Sequence, residues 1–262
     1  MKTSFLGTSM AFILGSAASL AQANVFEFNP VNFGGTDDTF VGNELVGQFS
    51  NLFTSTDQFE TFSATGWFNV NTINLNSNAQ PTGGLDTNDP NNGVGLYDLW
   101  FEYTYEASGG IAGQIAPSYT IDSVSLNLYA GSGTDRDFIL ATDPGGPAVV
   151  TNSGTSTLIG SSTQILGGGI INFQHQSFAA VDMDFQLEDL GTFFTAPDPF
   201  FNLAFQAAST VIPTLDFDTG TGTLTGTTEI RFERVPEPTS LALLGLGMLA
   251  LGWTASRRRQ AS

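Results

Sequence analysis

The residues able to do chemistry are few, and most are acidic. A single histidine, His175, sits in Phe173-Gln174-His175-Gln176. One imidazole can move a proton, but a His-based metal site needs further imidazoles or close carboxylates. No HExxH or GxSxG spacing is present, so His175 is expected to be an ordinary strand residue. Cysteine is absent, which removes thiol catalysis and thiolate metal ligands. Hard oxygen ligands are dense in Asp86-Thr87-Asn88-Asp89-Pro90-Asn91-Asn92-Gly93, with Asp98 close behind. Asp86, Asn88, Asp89, Asn91 and Asp98 make calcium the one cofactor the sequence suggests, although Pro90 stands where an EF-hand loop needs its fifth-position ligand. Asp135 with Asp137, and Asp216 with Asp218, could each pinch an ion from one strand face. The competing reading is that Asp, Asn, Pro and Gly simply build turns, and it is the stronger one for all three.

Carboxylate pairs such as Asp182 and Asp184 are too plentiful to mark a glycosidase, whose acids need set separations in space. A solvated sheet face needs polar residues at those positions anyway. No catalytic residue is assigned, and an enzyme is not expected. Threonine recurs at Thr219, Thr221, Thr223, Thr225 and Thr227; such a row could order water, but β-branched Thr also suits an exposed strand. Trp67, Trp100 and Tyr129 could stack on sugar rings. Trp100 is the best ligand candidate, because it falls on the face opposite Leu99, Phe101, Tyr103 and Tyr105. Large aromatics are nonetheless more often packed than displayed.

The elements that must position these residues read as strands and turns. Leu99 to Glu106 and Val181 to Glu188 alternate strictly, which is the side-chain period of an extended strand with one face on a core. Val124, Leu126 and Leu128 repeat the pattern, as do Phe201, Leu203 and Phe205, then Leu224, Ile230 and Phe232. Turn clusters at 34–38, 81–84, 88–93, 143–147 and 167–169 punctuate the runs. Short alternating strands broken this often predict an all-β domain over residues 24–235, an antiparallel, jelly-roll-like β-sandwich. With 23 phenylalanines and no disulfide available, its core must hold it together.

The two ends read differently. Lys2, an apolar stretch through Phe12, Ile13 and Leu14, and Ala21-Gln22-Ala23 predict a signal peptide over residues 1–23, cut after Ala23. Residues 236–262 open with Pro236-Glu237-Pro238, continue as an apolar run to Trp253 and end on Arg257, Arg258 and Arg259. A helix from Thr239 to Ser256 would be about 27 Å long, close to the hydrocarbon thickness of a bilayer. Trp253 suits its interface, and the arginines would stay cytoplasmic. A transmembrane helix with the domain outside the cytoplasm is the expectation. Of the 7 basic residues, Lys2 and Arg257 to Arg259 lie in these ends, as does Glu237 of the 25 acids, leaving 3 bases against 24 acids between them. So negative a domain repels phosphate backbones, which excludes nucleic acid as a partner.

The order of Pro-Glu-Pro, glycine-bearing apolar helix and Arg cluster resembles the PEP-CTERM protein-sorting domain over residues 235–260. That resemblance implies an exported protein of a Gram-negative-type bacterium, held at the inner membrane until an exosortase cuts near Pro236-Glu237-Pro238. It also implies association with exopolysaccharide, biofilm or floc formation. Phe26-Glu27-Phe28-Asn29-Pro30, Phe101 to Tyr105, Phe138-Ile139-Leu140 and the closing Thr/Gly-rich strand resemble flocculation-associated proteins of this group. Three functions follow: a non-catalytic surface or matrix protein first, a carbohydrate- or calcium-dependent binding module second, and a polysaccharide-acting hydrolase third.

Overall fold

The computed structural model describes residues 25–86, 95–114, 118–132, 136–142, 146–151, 154–166, 169–173, 177–198, 202–209 and 213–233. The predicted signal peptide with Ala21 and Ala23, and the whole segment 236–262, lie outside the described residues. Strands occupy most of the rest. In chain order they are β1 (Phe26–Phe28), β2 (Phe40–Gly42), β3 (Glu44–Thr54), β4 (Thr61–Leu75), β5 (Asn78–Ala79), β6 (Tyr97–Ser108), β7 (Tyr119–Ser132) and β8 (Asp137–Ile139). There follow β9 (Val149–Thr151), β10 (Thr155–Ile165), β11 (Gly169–Asn172), β12 (Ser177–Leu187), β13 (Phe194–Ala196), β14 (Asn202–Ser209), β15 (Thr214–Asp216) and β16 (Thr221–Glu233). Among the described residues no helix is long and apolar enough to cross a membrane.

All-β is correct, but the sandwich is not. Each long strand pairs antiparallel with the next one along the chain: β3 with β4, β4 with β6, β6 with β7, and β12 with β14, which pairs β16. The interrupted pair β10 and β11 fills the single place between β7 and β12. Strand β16 then returns to β3 over eleven residue pairs. The sheet therefore closes into an up-and-down barrel with eight strand positions. Period-two alternation could not separate the two architectures, since a barrel wall and a sandwich sheet each bury one face. What separates them is whether first and last strands meet, and closure satisfies the edge groups that a sandwich leaves open.

The barrel is filled. Phe49, Phe68, Phe101, Leu128, Met183 and Ile230 point inward and are buried, as the narrow bore of an eight-stranded barrel allows. The apolar void among Phe49, Asn51, Tyr103, Ile121 and Met183 measures about 30 Å³, room for one or two waters. Tyr103 donates to Asn51 Oδ1 at 2.6 Å, which pairs the hydroxyl and the amide oxygen carried into this interior. Gly66 makes room for that pair, because a Cβ there would collide with Asn51 Oδ1 and the carbonyl of Ser50.

Phenylalanine closes both ends. At one, β1, β2 and β13 form a small sheet in which Phe26 meets Phe194 and Phe232 edge-on, with ring centroids 5.2 Å apart in each case. Phe28 stacks on Phe193 at 5.5 Å. At the other end Phe62 meets Tyr119 at 5.0 Å and Phe53 at 5.3 Å. Aromatic pairs add roughly 0.5–1.5 kcal/mol each beyond their area, a large contribution in a fold without cross-links. The Phe26–Phe232 contact also joins the first strand to the last, so both termini of the domain leave from one end of the barrel.

Candidate functional site

The alternation that fills the barrel puts every second residue on its outer wall, and register aligns these residues across strands. Thr54, Ser63, Glu106 and Ser123 form one row from β3 to β7. Leu52, Thr65, Thr104 and Ser125 form the next, then Ser50, Trp67, Glu102 and Asn127. On β16, Thr221, Thr223 and Thr225 pair with Thr54, Leu52 and Ser50 and extend each row. The threonine row predicted on one strand is thus the edge of a polar wall five strands wide. Neighbouring strands lie about 4.8 Å apart and successive rows about 6.7 Å.

Part of this wall is covered. The chain after β7 returns over it as a flap built on the β8–β9 hairpin. Phe138 lies on Trp67 with ring centroids 5.2 Å apart. Trp67 Nε1 donates to the carbonyl of Ile139 at 2.8 Å, and the amide of Ala141 donates to Ser50 Oγ at 2.8 Å. Arg136 donates through Nη1 to Asp98 Oδ2 at 2.6 Å, both side chains being 1% exposed. Its guanidinium carbon lies 3.9 Å from the centre of the Trp100 ring, a cation–π contact made strong by desolvation. Tyr129 stacks on Trp100 at 5.4 Å. The close approach needs Gly131, where a Cβ would sit 2.5 Å from Arg136 Nη2.

Beside the flap a groove of about 280 Å³ stays open. Its floor is Thr65, Glu102, Thr104, Ser125 and Asn127, and Ala148 to Val150 of the flap form one side. Trp100 Nε1 donates to Glu102 Oε1 at 3.1 Å, so a side chain buried beneath the flap fixes one oxygen of a carboxylate in the groove. Burial raises the Tyr129 hydroxyl pKa above its ordinary value, and the Glu102 charge adds to this while a hydrogen bond with Asn127 opposes it. A second, wider depression of about 470 Å³ continues along the wall past Thr54, Thr61, Ser63, Glu106 and Asp122. The surface is rich in hydroxyl, amide and carboxylate groups, which are hydrogen-bonding chemistry. Glu102 and Glu106 stand four residues apart on one strand, about 13 Å, farther than the 5–9.5 Å that glycosidase acid pairs use.

The residues singled out from sequence fall in different places. Trp100 is fully buried and offers no face to a ligand; it acts on the groove through its indole N–H. Trp67 is also covered, and Tyr129 is half-buried. Asp98 pairs with Arg136. Asp86 is buried, its amide bonded to the Tyr97 carbonyl at 2.7 Å. Asn88, Asp89 and Asn91 lie outside the described residues, as do Asp135 and His175. Among the described residues no three His, Asp or Glu side chains gather as a metal site would require. Asp216 closes a turn, accepting from the amides of Asp218 and Thr219 at 2.9 and 3.1 Å. Glu102 and Asn127 were not foreseen. Glu102 shares the even-numbered face of β6 with Trp100, a placement that the alternation already contains, but its cross-strand partners depend on register.

The sorting residues Pro236, Glu237, Pro238, Trp253, Arg257, Arg258 and Arg259 lie beyond the described strands. Residues 234–259 match the family described as the PEP-CTERM protein-sorting motif. That motif marks an exported, surface-directed chain that is a substrate of exosortase. No curated protein matches the chain, and no solved structure does.

Proposed function

We propose that this exported chain is a non-catalytic matrix protein, delivered to the cell surface by its sorting segment and associated there with exopolysaccharide. The observation that carries the reading is the sorting motif at 234–259 attached to a barrel whose bore is filled. A filled bore favours a ligand on the outside of the wall rather than a small molecule within. Before processing, the apolar run from Thr239 would hold the barrel at the outer side of the inner membrane, with Arg257 to Arg259 in the cytoplasm. Both termini of the described domain lie at one end of the barrel, and the part of the polar wall beside the flap stays open. The high acid content keeps such a protein soluble and turns it away from nucleic acid and anionic lipid.

Deleting residues 236–259 tests the delivery. The truncated protein should be released rather than retained with cells and matrix, as measured by immunoblotting of fractions. Unchanged retention would sink the sorting account. Calorimetry of the mature chain with polysaccharide extracted from the producing cells, with and without calcium, tests association. Absence of heat in both conditions would remove it.

A further inference from the structure

We infer that the groove between the flap and the barrel wall is a binding site for a neutral polysaccharide chain, an inference that rests on the matrix reading only for the source of that chain. Four observations combine. First, the floor presents acceptors and donors together: the Glu102 carboxylate, the Asn127 amide, and the hydroxyls of Thr65, Thr104 and Ser125. Vicinal sugar hydroxyls each donate and accept, so they need both kinds of partner, and a carboxylate bound to hydroxyls is the stronger, charge-assisted case.

Second, the carboxylate is preset. Trp100 Nε1 holds Glu102 Oε1, and Trp100 is itself packed against Tyr129 and the guanidinium of Arg136. Trp100 is thus a positioning residue. Presetting removes side-chain entropy that a floppy Glu would lose on binding. Third, the site is a track rather than a pit. The wider depression over Thr54, Ser63 and Glu106 continues along the same strands, so a polymer leaving the groove keeps polar partners over a further row or two.

Fourth, charge selects among polymers. Arg136 and Arg231, the two bases in the described residues, are both held by carboxylates, and neither lines the groove. Glu102, Glu106 and Asp122 set a negative field along the track. A polyuronate would meet that field with its own charge, whereas a neutral glycan has only hydrogen bonds to gain.

Calorimetry and affinity electrophoresis of the full mature chain check this, using cellohexaose, mannohexaose, xylohexaose and polygalacturonate as probes. At least one neutral hexasaccharide should bind, and polygalacturonate should not. Glu102→Gln and Asn127→Ala should each weaken binding about tenfold while leaving thermal unfolding within a few degrees. Thr104→Lys, on the exposed floor, should abolish binding without unfolding the barrel. Trp100→Phe keeps a smaller aromatic ring and loses the indole donor. It should weaken binding, and Glu102→Gln added to it should weaken binding little further, whereas a merely structural role for Trp100 would leave the two effects additive. The inference is overturned if none of the neutral probes binds, if the groove variants bind as the parent does, or if polygalacturonate binds best. A chain retained in the matrix that binds none of the probes keeps the matrix reading and loses this one. A chain that binds but is not retained does the reverse.

Discussion

Arg136 and Arg231 are both cations in an acidic domain, and both end on carboxylates, yet they sit in opposite environments. Arg136 is 1% exposed, meets Asp98 and lies flat on Trp100. Arg231 is 39% exposed and stands on the open wall between Glu44 and Glu229. The first pair is sealed beneath the flap and ties residues distant in sequence to the barrel. The second is a half-open cluster on two adjacent strands, in which Arg231 reaches solvent while Glu44 is 5% exposed. Burial decides what each is worth. A buried pair is costly to half-remove, because the partner charge is stranded, whereas an exposed pair contributes little beyond about 1 kcal/mol.

The comparison breaks most sharply at Arg136. Arg136→Met should destabilise the domain by about 3–5 kcal/mol, since it leaves Asp98 ionised under the flap. Urea unfolding of the purified domain gives the number. Adding Asp98→Asn should recover a large share of the loss, because an amide needs no counter-charge. A cost under about 1 kcal/mol for Arg136→Met would mean that the flap opens to water, and that the site behaves like the Arg231 cluster after all.

A smaller effect separates the flap from the wall. Trp67→Phe keeps the ring against Phe138 and loses the bond to the Ile139 carbonyl. It should cost about 1–3 kcal/mol, from the lost hydrogen bond and from the space the smaller ring leaves at a position that is 2% exposed. Limited proteolysis should show earlier cutting in residues 136–151, with the barrel strands still protected. By contrast, Thr65→Ala on the exposed part of the same strand should shift stability by no more than about 0.5 kcal/mol. Equal costs at positions 65 and 67 would erase the distinction between covered and open wall.

The same contrast explains what could be read from the chain alone. Strand identity was legible wherever burial alternates: Val181, Met183 and Phe185 are buried while Asp182 and Gln186 are exposed. Closure was not, because no residue pattern on β3 or β16 announces that the first and last long strands will pair. The Phe-rich start was visible as composition, but its role as an end plug depends on Phe193 and Phe232, far along the chain. Trp100 lies on the outward face, as the alternation predicts, and it is packed rather than displayed. What covers it, a flap whose Phe138 and Arg136 come from a turn-rich segment, left no signal near Trp100 in the sequence. Asp98 meets a charge partner 38 residues later, a contact that its sequence neighbours do not announce. Short-range pattern fixes which face a residue takes; long-range contacts decide what covers the face.

The mildest prediction concerns acidity at the open cluster. Glu44 accepts from Asn74 at 3.0 Å and from Arg231 Nη2 at 3.2 Å. Burial acts to raise its pKa, but the hydrogen bonds from Glu229, Asn74 and Arg231 outweigh this and leave it below the usual value. Glu229 goes the other way. Burial first, and then the Glu44 carboxylate beside it, push it up to about 7 against the pull of Arg231. A carboxyl whose folded pKa is raised favours folding while protonated. Its contribution is complete below about pH 4.5 and is lost as pH climbs through 7. Glu229→Gln imitates the protonated form permanently. The variant should match the parent at pH 4.5 and exceed it in Tm at pH 8, with the gap opening between those values. Glu44 stays ionised across this window, so its opposite linkage falls at lower pH and does not mask the effect. Parallel Tm curves for parent and variant from pH 4.5 to 8 would show that Glu229 titrates as an ordinary surface acid, and that Arg231 alone balances both carboxylates.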